Sequence, residues 1–147
     1  EFMNSLHFTE AILDFYNTGK PILGICLGMQ LFADYGYENV KTKGLGLIKG
    51  EVVRFPEVGL CIPHVGWNGI KIQNPHPVFA NVRDEVDFYF VHSYYFQCSD
   101  SSNILSSTYY GIEFASAVYQ NNLIGLQFHP EKSQKHGLKI LKNFCSL

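Results

Sequence analysis

Hydrophobic positions along the chain recur with two different spacings. From Thr9 to Thr18, apolar Ile12, Phe15 and Tyr16 fall at i, i+3 and i+4, the spacing of one helical face, which predicts a helix. Thr9 is placed as its N-cap and Gly19 as its stop. In Pro21 to Cys26, Ile22, Leu23 and Ile25 form a short continuous apolar run between turn residues, the pattern of a parallel strand buried on both faces. Gly28 to Tyr35 then reads as a helix with Leu31, Phe32 and Tyr35 on one side. The middle changes character. Leu47 to Phe55, Asn68 to Ile72, Asp87 to Cys98 and Ile104 to Tyr110 are rich in Val, Ile, Phe and Tyr and are separated by Gly, Pro, Asn and Ser, which predicts strands and turns. Ala115 to Tyr119 and Leu123 to Phe128 bracket Gln120, Asn121 and Asn122 as a hairpin, and Ser133 to Phe144 predicts a closing helix with Leu138, Leu141 and Cys145 on its stripe. The order helix, strand, helix, strands, helix is an α/β arrangement. A buried parallel strand needs neighbours on both sides, yet one helix alone precedes Pro21, so the chain reads as beginning partway through a domain.

Composition narrows the function classes. The 147 residues make one ordinary domain, 46% hydrophobic and 16% charged, which is globular rather than disordered. No repeat or linker divides it. Aromatic residues reach 15%, and such residues anchor interfaces as well as cores, which suits a subunit. Lys and Arg total 11 against 13 Asp and Glu, so no basic stripe exists to follow a phosphate backbone and no nucleic-acid partner is expected. No apolar run reaches transmembrane length and Glu1 to Leu6 lacks the features of a signal peptide, so no membrane association is expected. Cys26, Cys61, Cys98 and Cys145 form no CxxC pair, which suits free thiols in a reducing compartment, and the protein is read as cytosolic.

The strongest chemical signal is Gly24-Ile25-Cys26-Leu27-Gly28, between a predicted buried strand and a predicted helix. It is a G-x-nucleophile-x-G elbow with cysteine as the nucleophile. The glycines permit a sharp turn and close backbone packing, the following helix N-terminus is expected to lower the thiol pKa, and the Leu27 amide is placed to donate to an oxyanion. A cysteine nucleophile needs a base, and the base needs an orienting group. Among six histidines, His129 ends the apolar strand Leu123 to Phe128 and is followed by Pro130 and Glu131. Pro130 keeps its predecessor extended, and residues two apart on an extended segment project to the same side, so Glu131 is placed to hold the imidazole that serves Cys26. Cys61 and His64 have the spacing of half a metal site, but no second pair matches them. On the residues alone, His64 and His92 are structural, while His7, His76 and His136 lie in polar stretches and are read as surface residues.

The stretches Pro21 to Gln30 and Phe128 to Ser133 resemble the two signatures of class I glutamine amidotransferases. Gly44 to Gly50, Pro63 to Asn68 and Phe88 to Tyr94 extend the resemblance, over essentially the whole chain, to the glutaminase subunits of imidazole glycerol phosphate synthase, an enzyme of histidine biosynthesis. The resemblance implies a Rossmann-like α/β domain, a mixed sheet flanked by helices, spanning residues 1–147 as a partial amidotransferase domain. It implies that Cys26 is the nucleophile, His129 the base and acid, and Glu131 its orienter, with no metal or organic cofactor. Gln30 would bind glutamine, helped by Leu27, His92, Ser93 and Tyr94. Trp67, Asn68, Tyr89 and Lys132 would face a (β/α)8 cyclase subunit beside the ammonia passage, in a heterodimer. Without the resemblance, Trp67 and Tyr89 read as core aromatics and Lys132 as a solvated charge.

Two departures from the family pattern accompany this. Members open with a βα segment and then a Pro-Gly-containing loop that supplies part of the oxyanion hole; neither is found here, and Glu1 to Leu6 resembles the stretch just after that loop. The expectation is a chain lacking one or two βα units of roughly 30 residues each, with an open apolar edge at the strand Pro21 to Cys26 and an incomplete oxyanion hole. Three other readings stay open: an amidotransferase subunit feeding ammonia to another synthase, for instance one modifying a surface sugar; a binding subunit with disabled chemistry; and a cysteine hydrolase of peptides. Gln30 and the cyclase-facing stretches count against the last.

Overall fold

A computed structural model describes residues 8–57 and 59–147; the readings made for Glu1 to Leu6 and for His7 lie outside the described residues. Helix α1 spans Phe8–Asn17, with Thr9 inside its first turn. Gly19 ends it with φ 74°, its amide donating to the Tyr16 carbonyl at 3.0 Å, the left-handed stop that glycine adopts without strain. The strands are β1 (Ile22–Ile25), β2 (Tyr35–Gly36), β3 (Thr42–Lys43), β4 (Gly50–Arg54), β5 (His64–Gly69), β6 (Lys71–Ile72), β7 (Asp87–His92), β8 (Tyr94–Cys98), β9 (Ile104–Tyr110), β10 (Ile112–Gln120) and β11 (Leu123–Leu126). Helix α2 spans Leu27–Gln30 and α3 spans Gln134–Phe144.

Nine strands form one mixed sheet in the order β1-β11-β10-β8-β4-β2-β3, with β9 also on β10 and β6 on β9. The parallel pairs are β1 with β11 and β2 with β4. Among the described strands β1 pairs with β11 alone and its burial is partial, so its two-sided burial is less complete than the apolar run suggests. Strands β5 and β7 form a separate antiparallel ribbon. The hairpin β10–β11 turns at Asn121, which takes the left-handed φ of 55° that asparagine tolerates.

The two faces of the sheet each carry a core. Along β10 and β11, Phe114, Ala117, Ile124 and Leu126 join Phe55, Phe88, Phe90, Phe128 and Ile140 in one cluster, while Ala115, Val118 and Leu123 join Met29, Phe32, Ile48 and Phe96 in the other. The alternation changes parity between Ala115 and Ala117, where the register shifts by a bulge and Ser116 is the extra residue.

Three sequence expectations are corrected. The helix placed over Gly28 to Tyr35 is the four-residue α2, because the carbonyls of Leu31, Phe32 and Ala33 accept from the amides of Leu45, Leu47, Ile48 and Gly46 and so point to that segment instead of along a continued helical ladder. The single strand read over Asp87 to Cys98 breaks at Ser93 into β7, in the ribbon, and β8, in the main sheet. In α3 the buried positions are Gly137 and Ile140, with Phe144 packed beside them; Leu138 and Cys145 face solvent.

Candidate active site

The sheet topology brings the two signature stretches together. In the parallel pair β1–β11, Ile25 stands opposite Leu126, and the Cys26 amide continues the ladder to the Leu126 carbonyl at 2.7 Å. Cys26 is therefore the first residue past the end of β1, while Gln127 and His129 follow the end of β11 beside it. Such a site, at the carboxyl ends of parallel strands, is where open α/β sheets bind their ligands.

Cys26 has φ 50° and ψ −105°, a backbone state that a non-glycine residue rarely adopts. The close packing of the elbow comes from Gly24, where a Cβ would sit 2.6 Å from Gly28 carbonyl carbon and 2.7 Å from Phe32. Gly28 itself faces open space, so of the two flanking glycines one is sterically required. Gly125 on β11 leaves room for Met29, which seats α2 against the sheet. Burial pushes the Cys26 thiol above its usual pKa; the Leu27 amide and the Gln127 side chain act in the opposite direction without overcoming it. The lowering expected from the helix N-terminus is present in the Leu27 N–H, but burial outweighs it and the net shift is upward.

His129 is held as its neighbours predict. Its Nδ1 lies 2.7 Å from Glu131 Oε1, and Pro130 opens a 3-10 turn over Pro130–Lys132. Its amide donates to the Tyr89 carbonyl, tying the turn to β7. The other ring nitrogen, Nε2, is buried and has no hydrogen-bond partner among the described residues, leaving an acceptor free for a proton delivered at the site. Ser133, buried and given no role of its own in the sequence reading, donates to the His129 carbonyl at 2.6 Å and accepts from the Tyr89 amide at 2.9 Å, so its hydroxyl braces the turn rather than capping α3.

Beside the elbow is a cavity of about 270 Å³ whose wall includes Leu27, Gln30, Tyr37, Glu38, Lys43 and Tyr94. Gln30 Nε2 donates to the Tyr94 carbonyl and to Gln127 Oε1, each at 3.0 Å. Tyr94 hydroxyl donates to the Glu38 carbonyl at 2.7 Å. Ser93 is half-buried between β7 and β8, its carbonyl accepting from the Phe55 amide. His92 is buried and turned inward. With its Nδ1 donating to the Tyr94 carbonyl at 2.7 Å, its Nε2 must accept from His64 Nδ1 at 3.1 Å, and His64 Nε2 then accepts from Asn68 Nδ2 at 3.3 Å. Both rings of this chain are satisfied as neutral imidazoles, and burial lowers the pKa of each to about 4. Any substrate contact from this stretch therefore falls to Ser93, Tyr94 and the backbone. Glu38, Lys43 and Gln127 were not singled out in the sequence. Gln127 had a legible signal, since it lies two residues before His129 on the same extended segment.

Trp67 and Tyr89 are paired across the β5–β7 ribbon, their rings 5.9 Å apart edge to face, and Lys132 Nζ lies 5.8 Å from the Tyr89 ring centre. Trp67 is 48% exposed, so it is not the core aromatic its type suggests. Asn68 is bound to His64 and to the Tyr109 carbonyl.

The sequence profile of the family described as glutamine amidotransferase class-I matches residues 4–146. Imidazole glycerol phosphate synthase subunit HisH 1 of Campylobacter jejuni is 49% identical over 129 residues, covering 87% of this chain and 64% of that protein. The HisH subunit of Methanosarcina barkeri is 48% identical over 138 residues, covering 92% and 68%. The chain thus spans about two thirds of the length of these relatives. A crystal structure of a glutamine amidotransferase from Thermotoga maritima superposes with a TM-score of 0.66 at 17% identity, covering 95% of this chain and 53% of that one, a likeness of fold. A cysteine elbow and a His-Pro-Glu turn, brought to one sheet end by the β1–β11 pair within a sequence that matches throughout, have a single reading: the chain belongs to the class I glutamine amidotransferase family.

Proposed function

We propose that this chain hydrolyses glutamine to glutamate and ammonia, acting as the glutaminase subunit of imidazole glycerol phosphate synthase in histidine biosynthesis. The observation that carries the reading is a strained Cys26 at the end of β1 beside the end of β11, from which His129 follows with its Nδ1 held by Glu131 and its buried Nε2 without a partner among the described residues. Cys26 Sγ attacks the side-chain amide carbon while its proton passes to His129 Nε2. The Leu27 amide donates to the oxyanion. His129 returns the proton to the departing nitrogen, ammonia leaves, and water then hydrolyses the glutamyl thioester with His129 as base. Glu131 keeps the imidazole in the required tautomer throughout.

The substrate reading draws on the cavity. Ligand pockets commonly run to roughly 300–1,000 Å³, and one of about 270 Å³ suits a single amino acid better than a peptide. Its wall includes Glu38, Lys43 and Gln30, an acid, a base and an amide that suit the charged head and the amide of glutamine. Gln30, Leu27, Ser93 and Tyr94 are assigned to this side, and His92 supports them from within. Ammonia is passed to a cyclase subunit of (β/α)8 type in a heterodimer, with Trp67, Asn68, Tyr89 and Lys132 at the contact; the relatives named as synthase subunits support this. A cytosolic location accords with four cysteines that are all free.

The test is glutamate release from glutamine, with and without the cyclase subunit and its nucleotide ligand, against Cys26→Ala. Turnover that rises with the cyclase and vanishes in the variant is the expected result. Equal turnover in Cys26→Ala would overturn the reading, and cleavage of peptides in preference to glutamine would move it to another class of cysteine hydrolase.

A further inference from the structure

Gln127 is a fully buried polar side chain lying between the nucleophile and the substrate side of the site. Its Nε2 is 3.7 Å from Cys26 Sγ, and its Oε1 accepts from Gln30 Nε2 at 3.0 Å. The orientation of its amide follows from its partners. Gln30 also contacts the Tyr94 carbonyl, which accepts only, so the Gln30 nitrogen faces both Tyr94 and Gln127. Gln127 must then present its oxygen to Gln30 and its N–H to the sulfur. The Gln127 backbone is fixed as well, its amide donating to the Ser116 carbonyl at 2.9 Å. The Val91 carbonyl also lies 3.9 Å from the sulfur, an acceptor suited to the neutral thiol as Gln127 is suited to the thiolate.

We propose that Gln127 is a positioning residue for the glutaminase reaction, holding Cys26 Sγ through its Nε2–H and tying that placement to Gln30 through its Oε1. The proposal rests on Cys26 being the nucleophile. Gln127 neither gives nor takes a proton: in the attack the thiol proton goes to His129 Nε2, the sulfur pair forms the C–S bond, and the carbonyl pair moves to oxygen. What Gln127 adds is a donor that strengthens its bond as the sulfur becomes charged, in a place where burial opposes that charge. It also gives the site a mechanical link, since a substrate that shifts Gln30 pulls on the amide that holds the sulfur.

The test is the pH dependence of Cys26 alkylation by iodoacetamide in the wild-type chain, Gln127→Met and Gln127→Glu, read by peptide mass spectrometry so that Cys61, Cys98 and Cys145 are scored separately. Met keeps the approximate volume and removes donor and acceptor; an ionised Glu keeps the acceptor for Gln30 and removes the donor to sulfur. The expected result is a midpoint raised by about one pH unit or more in both, with alkylation below the midpoint about tenfold slower, and a larger rise in Gln127→Glu. A midpoint unmoved in either variant, with wild-type near-ultraviolet circular dichroism, would overturn the proposal and reduce Gln127 to a core residue. The wild-type chain supplies a reading free of folding effects: the side-chain amide resonance of a 15N-labelled Gln127 should move when Cys26 is alkylated, and one that stays still would also overturn it. Because alkylation reports on the sulfur and not on glutamine turnover, failure here leaves the glutaminase assignment intact. A chain without glutaminase activity but with shifted midpoints would fail that assignment alone.

Discussion

At the scale of single residues, the site depends on atoms placed by their immediate neighbours. Glu131 reaches His129 Nδ1 because Pro130 separates them on an extended-to-3-10 transition, a relation visible in three consecutive letters. Glu131→Gln removes the charge that stabilises the imidazolium and permits the wrong tautomer. We expect kcat for glutamine to fall on the order of 10²- to 10⁴-fold with little change in KM, checked by steady-state kinetics in the presence of the cyclase; a KM effect alone would place Glu131 in binding. The thiol shows where local reading fails. A helix after the elbow suggested an acidic cysteine, yet the sign of the shift is set by burial, which depends on distant segments such as those carrying Val91 and Gln127 meeting at the sulfur.

At the scale of elements, glycines decide how closely segments pack, and they are not equivalent. Gly24→Ala would drive a Cβ to within 2.6 Å of the Gly28 backbone, which cannot yield as a side chain can. A loss of about 3 kcal/mol or more is expected, together with a displaced Cys26, measured by denaturant unfolding and by the alkylation rate. Gly28→Ala meets nothing within 4 Å and lies inside α2, so its stability should stay within about 1 kcal/mol of wild type. Gly137 in α3 is the third case. A Cβ there would collide with the Pro130 carbonyl, whose carbon is 2.7 Å away, so α3 packs directly on the turn that carries His129 and Glu131. Gly137→Ala should lower both the melting temperature and kcat, whereas a merely structural contact would lower the former alone. None of these distinctions is visible in the G-x-C-x-G string, because each depends on what lies across from the glycine.

At the scale of the whole molecule, the His64–His92 pair joins the β5–β7 ribbon to the main sheet. Each has a folded pKa of about 4 against 6.5, because burial disfavours the cation and the neutral hydrogen bonds are already complete. Between those values the unfolded chain binds more protons than the folded one, so this contribution is fully present above pH 6.5 and is lost as pH falls towards 4. For either histidine alone it is on the order of 3 kcal/mol, and less than twice that for the pair, since the two share one bond. The expected outcome is a steep fall in urea midpoint from pH 6.5 to 4.5 in the wild type and a flatter one in His64→Gln with His92→Gln. Trp67 belongs to this scale too. Exposed at 48% and braced by Tyr89, it has the character of an interface anchor, and under the proposed function Trp67→Ala should weaken cyclase binding by about tenfold or more, read by titration calorimetry.

The sequence by itself determined the α/β class, the hairpin at Asn121, the elbow at Cys26 and the His129–Glu131 contact, since each arises from residues within a few positions of one another and from periods that the backbone imposes. The tertiary structure alone decided that β1 and β11 lie side by side, which carries Cys26 to Gln127 across 101 residues of chain, and that His92 faces inward while Trp67 faces out. It also decided the short length of α2 and the direction of the thiol shift. Those outcomes depend on which distant backbone groups and side chains compete for the same acceptors and the same space, and a one-dimensional pattern does not contain that competition.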